Sequence, residues 1–349
     1  MKLKNKALWG AVSILPLAGC SVFANTTPDT EVEDTSTQVT STITVELSSN
    51  DLDATYEDSS IETVTFNGTS IDANGTNLSV NGSILTISGA GDYLISGTLD
   101  DGQIIIAADK EDIVHIFFDG VNLSSEDGSP FVLLNVDKVV LTLVEGSTNT
   151  ITDGTTYFAT GDEDPDAALF AKDDLTLNGT GSLSITSSEI GIHSSNSLII
   201  LDATVTVDSD KDGLKGKDSI VLQDANLSVT VGNDGLQSTN SVDQGAGYIA
   251  IDGGSLDITS GLDGIQAQSQ VLITNGDITV NAGTTATADQ SGKAIKAELD
   301  LSIEGGNLAF SSKSDDTLNS AGTLTISAGA LDLSAGDDAI HADDTLLIN

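Results

Sequence analysis

An aliphatic anchor recurs through the second half of the chain at Leu169, Ile192, Leu214, Leu236, Ile265, Ile295, Leu318 and Ile340, at spacings of 23, 22, 22, 29, 30, 23 and 22 residues. A period in this range marks a solenoid, because one such unit cannot bury its apolar face alone and must stack on its neighbours. The unit is β. Six and eight residues after the anchors stand apolar pairs such as Leu198/Ile200, Ile220/Leu222 and Leu301/Ile303, and a second pair follows, as in Val205/Val207 and Leu308/Phe310. Both pairs alternate at period two, the pattern of strands with one buried face. Gly, Asn and Asp fill the intervals as turn formers. Three short strands and three turns per unit predict an all-β chain wound as a parallel β-helix of 22–30 residues per coil.

The two long intervals predict local insertions. In the Leu236 repeat the next apolar pair is displaced to Ile249/Ile251, which places a loop near 240–247; in the Ile265 repeat the extra residues lie near 283–292. Such loops emerge on the flank of a solenoid and often border a binding surface.

The first residues read as a leader. "MKLKNK" is a basic start and "ALWGAVSILPLAG" an apolar run too short to span a bilayer. "LAGC", Leu17 to Cys20, resembles a bacterial lipobox, which implies cleavage before Cys20, lipidation of its thiol and anchoring in the bacterial cell envelope, with the lipid as the membrane contact. The alternative is an ordinary cleaved signal. Residues 1–19 are thus expected as signal peptide and 20–42 as a Thr/Ser/Asp/Glu-rich tether. Residues 43–165 are expected as irregular first coils and cap, with a separate small β-domain as the alternative, and 166–349 as regular coils. The last repeat has its anchor and first apolar pair but no second, so the coils are expected to continue beyond Asn349.

Charge narrows the partners. The chain has 53 acidic residues, 12 Lys plus Arg, a net charge of −41, and no arginine at all. Nucleic acid, which needs basic side chains on phosphate, is excluded; cations, or polymers bridged through cations, are favoured. Two residues before successive anchors stand Ile190, Asp212, Asp234, Asp263, Lys293, Asp316 and Asp338. Stacked coils would place these about 4.8 Å apart, a column of aspartates where like charges repel by roughly 1 to 4 kcal/mol per pair. Asp210, Asp315 and Asp337 lie on the same turns. Calcium accepts six to eight oxygens at about 2.3–2.6 Å, and these eight aspartates are candidate ligands. Well-solvated turns are the alternative explanation. His193, Lys215, Lys296 and His341 each follow an anchor and share one face. Lys215 and Lys296 are candidate ligand contacts, and Lys215 and Lys217 are candidate bases if the chain is a lyase. His115, inside "IVHIFF", reads as structural.

The runs "GLKGKDSIVLQDANLSVTVGNDGLQST" and "DGIQAQSQVLITNGDITV", with "YLISGTLDDGQIIIAA" upstream, resemble the bacterial calcium-dependent pectin (polygalacturonate) binders, carbohydrate-binding β-helix proteins related in fold to pectate lyases. The resemblance covers nearly the whole chain after the leader. It implies a right-handed parallel β-helix, calcium in the acidic turns, and an acidic polysaccharide as partner. The residues agree on the ligand class. Stacking platforms for neutral glucan need exposed aromatic rings, yet the one tryptophan, Trp9, lies in the leader, and there are four tyrosines. Binding without catalysis is the favoured reading; a calcium-dependent lyase and a structural or adhesive β-helix without saccharide ligand are the alternatives.

Overall fold

The computed structural model describes residues 43–57, 59–157, 165–287 and 289–349. The lipobox and Cys20, the tether and the signal peptide lie outside the described residues. There is no helix among those residues, and the strands build two sheets. One coil illustrates the unit. Leu214–Gly216 contributes three residues to the narrow sheet, and Ser219–Gln223 and Asn226–Val231 contribute two strands to the broad one. The next coil repeats the order in parallel, so the fold is a solenoid-like stack of parallel strands.

Register carries the expected periodicity into space. The anchors pair Leu169 with Ile192, then Leu214, Leu236, Ile265, Ile295, Leu318 and Ile340 in unbroken succession. The first apolar position stacks likewise, from Leu175 through Leu198, Ile220, Ile249, Val271, Leu301 and Leu324 to Leu346. These inward ladders fuse into one core running from Val64 to Ile326. Each fully buried aliphatic side chain stabilises the stack by roughly 1.5–3 kcal/mol. At one end two antiparallel hairpins close the stack, Glu62–Gly68 with Ser70–Asn74 and Leu78–Asn81 with Ile84–Ile87. The extra residues at 240–247, and the described ones at 283–287 and 289–292, are loops, on opposite edges of the narrow sheet.

The bend between the two broad-sheet strands needs left-handed backbone. Asp202 and Asp224 adopt φ of 58° and 50°, and Gly253 takes φ 80° at the equivalent bend of the following coil. Aspartate is one of the few residues with a side chain that tolerates this region. Part of the acidic composition is therefore turn chemistry.

Residues 43–57, expected as part of the first coils, take a different course. They cross the outside of the broad sheet as a strap. The reason is visible in strands such as Ser197–Leu201 (SLIIL) and Ser219–Gln223 (SIVLQ), whose outward Ile199, Leu201 and Val221 are apolar as well as their inward residues and so need cover on both faces. Val45 packs on Ile199, Leu201, Val221 and Ala250, and the ring of Tyr56 meets Phe117 edge-on at 4.8 Å. Between them Asp51, fully buried, accepts Lys138 Nζ at 2.7 Å, Thr176 Oγ1 at 2.6 Å and the Ser48 N–H at 2.7 Å. Asn178 Nδ2 donates to the carbonyls of Asp51 and Asp53. Burial alone would raise the Asp51 pKa; the Lys138, Ser48 and Thr176 hydrogen bonds outweigh it and hold the carboxyl below its ordinary value.

Removing Asp51 leaves the Lys138 ammonium half-enclosed without its partner, so Asp51→Ala is expected to destabilise the fold by about 3 kcal/mol. Because its folded pKa is depressed, the Asp51 contribution is present above the unfolded carboxyl pKa of roughly 3.9 and is lost as pH falls through the folded value. Denaturant melts of wild type and Asp51→Asn across the acid range check this; equal acid sensitivity in both would refute it.

Candidate functional site

In a three-residue strand the outer residues face the core and the middle one faces out. The narrow sheet therefore presents a single outward ladder: Phe170, His193, Lys215, Gln237, Gln266, Lys296, Asn319 and His341, paired coil to coil. Lys215 and Lys296 lie in it as expected. Lys217 does not flank the acidic column. It is exposed at the opposite edge of the sheet, where its carbonyl accepts the N–H groups of Thr239 and Asn240.

Along the other edge runs the aspartate column, and it is wired into the backbone. Asp212 Oδ1 accepts the N–H of Asp234 at 3.2 Å, Asp234 Oδ1 that of Asp263 at 2.9 Å, and Asp263 Oδ1 that of Lys293 at 2.8 Å. Asp316 Oδ1 accepts the N–H of Asp338 at 3.1 Å. Each carboxylate thus satisfies the backbone donor of its successor, a donor that the turn leaves outside the strand ladder. The second oxygens meet the outward ladder: Gln237 Nε2 donates to Asp234 Oδ2 at 2.8 Å, and Asn319 Nδ2 to Asp316 Oδ2 at 3.0 Å.

Lys293 divides the column. On one side Asp212, Asp234 and Asp263 occupy three consecutive coils; on the other stand Asp316 and Asp338. Lys293 Nζ binds Asp315 Oδ1 at 2.7 Å. Burial opposes the charge on Asp315, yet the Lys293 hydrogen bond and charge and the N–H groups of Asp316 and Gly292 hold its carboxyl below the ordinary value. Asp315 is thereby neutralised and differs from the column members. Asp210 and Asp337 are exposed on their turns, outside the hydrogen-bonded column. His341 sits at the far end, with Nδ1 3.9 Å from Asp316 Oδ2 and 3.7 Å from Asp338 Oδ2, while Nε2 meets Asp343 Oδ1 at 2.9 Å.

Electrostatics set the three-coil segment apart. Asp234 and Asp263 are buried. Burial, with the like charges of Asp263 and Asp212, pushes the Asp234 carboxyl up to about 7. Lys296, on the outward ladder, feels the charge of Asp263 and Asp234. Burial would lower its pKa, but the Glu298 carboxylate at 2.8 Å, with Asp263 and Asp234 beyond, raises it. Lys296 is a fixed cation, the opposite of a base with lowered pKa. A buried carboxylate stack with excess negative charge and oxygen donors fits a hard divalent cation. Among the described residues the side-chain atoms that converge as a set of three are those of Asp316, Asp338 and His341, all within 4.8 Å of one another. Asp212, Asp234 and Asp263 form a row of carboxylates along the edge, with the amides of Gln237 and Gln266 beside them, and would each offer an oxygen to a cation lying along that row.

Sequence reasoning missed the amides. Gln237 lies three residues after Asp234 and Asn319 three after Asp316, and this spacing is the one signal that could have identified them. His115 is structural as read: its Nε2 lies 2.8 Å from Thr142 Oγ1, and burial lowers its pKa.

The model of the family described as carbohydrate-binding domain-containing protein matches residues 81–339. A protein of Acetivibrio thermocellus with the same description is 34% identical over 120 residues, covering 34% of this chain and 42% of that protein's length. Among solved structures, the polysaccharide lyase-like protein from C. thermocellum, a gadolinium derivative, has a TM-score of 0.65 at 32% identity, with 69% of this chain and 95% of that chain covered.

The raised pKa of Asp234 has a consequence for stability. Between the unfolded value of roughly 3.9 and about 7 the folded chain binds more protons than the unfolded one, so its stability falls as pH rises through that window and levels off above it. Thermal melts in chelator at pH 5 and pH 8 are expected to show this fall in wild type and a smaller one in Asp234→Asn. Identical falls in the two would show that Asp234 is not the titrating group.

Proposed function

The chain belongs to the carbohydrate-binding domain-containing protein family, and we propose that it binds an acidic polysaccharide, a uronate polymer such as pectin, through calcium held at the aspartate column. The observation that carries this reading is the run of Asp212, Asp234 and Asp263 on consecutive coils, each carboxylate bonded to the backbone N–H of the next coil and the last two buried. A divalent cation would relieve the excess negative charge there and still have coordination positions left for a polymer carboxylate. A chain this acidic repels a uronate polymer in the absence of the metal. The oxygen-only donor set suits hard cations.

The column and the polymer share a direction. A polysaccharide lying along the solenoid axis meets the same groups at each coil, so its carboxylates face the aspartates while Lys215, Gln237, Gln266 and Lys296 reach its hydroxyl and carboxylate oxygens. The coil is taken as right-handed, the hand that parallel strands joined by a crossover adopt in nearly all cases. The lipobox resemblance supports a lipid anchor at Cys20 and a place in the bacterial cell envelope. Binding is the favoured reading, with Lys296, held as a cation by Glu298, as a contact for carboxylate oxygens; Lys215, on the same ladder, is the base a lyase would use.

Retention on immobilised polygalacturonate is expected with calcium and lost in chelator. The double variant Asp234→Asn/Asp263→Asn is expected to lose calcium and polymer together, whereas Glu31→Gln/Glu33→Gln in the tether retains both. Polymer retained unchanged in chelator would refute the calcium bridge. Accumulation of unsaturated, ultraviolet-absorbing product would establish the lyase instead.

A further inference from the structure

The insertion at 240–247 lies on the edge of the narrow sheet opposite the aspartate column, and it is braced at both ends. Asn240 Nδ2 donates to Asp218 Oδ1 at 2.6 Å and to Asp243 Oδ2 at 2.8 Å, while Asn240 Oδ1 accepts the N–H groups of Val242 and Asp243. Gly247 N–H binds the Asp218 carbonyl at 2.6 Å, and Ser269 Oγ binds the Ala246 carbonyl at 2.7 Å. The loop thus stands as a fixed wall. Between it, the start of the strap and the next two coils lies an open groove of about 800 Å³.

The lining is amphipathic. Half-buried Tyr248, Ile43 of the strap and Leu299, 52% exposed, supply apolar surface. Gln268 supplies a half-buried side-chain amide with no hydrogen bond to the described residues. The charged groups on the walls are the carboxylates of Asp243 and Glu298, and Glu298 is already paired with Lys296. Such a groove repels an anion. It suits a neutral molecule with an apolar face for Tyr248 and Leu299 and a hydroxyl edge for the amide of Gln268. A neutral pyranose ring has that construction, with C–H groups on its face and hydroxyls on its rim.

We propose that this groove is a second saccharide site, taking a neutral pyranose unit without calcium. It is independent of the calcium bridge at the aspartate column, so either can fail without the other. Short neutral gluco-, manno-, xylo- and galacto-oligosaccharides are the probes, titrated calorimetrically into the full chain in chelator. At least one is expected to bind. Gln268→Ala and Leu299→Asp are each expected to weaken it by about tenfold, the loss of one buried hydrogen bond or apolar contact. Leu299 is exposed, so its variant keeps the fold even if Gln268→Ala does not; Asp234→Asn is expected to bind as wild type. The proposal is overturned if none of these sugars binds, if binding vanishes in chelator, or if Leu299→Asp binds as wild type.

Discussion

Every property of this chain passes through one constraint: coils stack in parallel register, so a residue at a given coil position meets its own equivalent one strand spacing away. A single coil of about two dozen residues has too little apolar surface to offset the entropy of ordering it. Stacking supplies the missing cover and multiplies each position into a column. Leu214 becomes a ladder of leucines and isoleucines inside; Lys215 becomes a polar ladder outside. An inward column of like residues is favourable because aliphatic contact is cumulative. An outward column of carboxylates is unfavourable unless something separates the charges.

The chain handles its aspartates in three distinct ways. Asp51 is fully enclosed and paired with Lys138, fastening the strap. Asp202 and Asp224 hold left-handed bends, a backbone role that leaves their charge near solvent. The column members accept the backbone N–H of the next coil, a charge-assisted hydrogen bond of the stronger kind. The third role conflicts with itself: the hydrogen bond requires the carboxylate to sit against the backbone, where burial and its neighbours oppose ionisation. Lys293 resolves the conflict in one coil by replacing the aspartate and neutralising Asp315. Three coils, those of Asp212, Asp234 and Asp263, have no such replacement.

The period of the anchors made the stack legible in the sequence, as the unbroken pairing of Leu169 through Ile340 demonstrates, because an inward column needs only apolar residues at fixed spacing. The insertions were legible for the same reason: they displace the period. The strap was not. Its apolar residues are few, and the signal for it lay elsewhere, in the two-faced apolar strands it covers. The aspartate column was legible as a column but not as a hydrogen-bonded one, since the donor to Asp212 is a backbone N–H 22 residues away. Lys217 was misplaced because two positions in a three-residue strand carry the chain around a corner. The groove beside Tyr248 combines residues from the strap and several coils, and no local spacing marks it.

The two edges of the narrow sheet therefore offer opposite chemistries at neighbouring coils. One is anionic, buried and hydrogen-bonded, suited to metal ions and through them to carboxylates. The other is an open groove with an apolar floor and an unused amide. On the proposed reading the sheet between them, only three residues wide, is where both faces of one polymer could be met. A uronate chain with neutral residues would present charged groups to one edge and hydroxylated rings to the other. The polar ladder of Gln237, Gln266 and Lys296 joins the two edges, and its amides already bond to the aspartate side through Gln237. Each edge acts by itself, so a uniform uronate polymer engages one and a neutral oligosaccharide the other, while a polymer with both kinds of unit engages the two together.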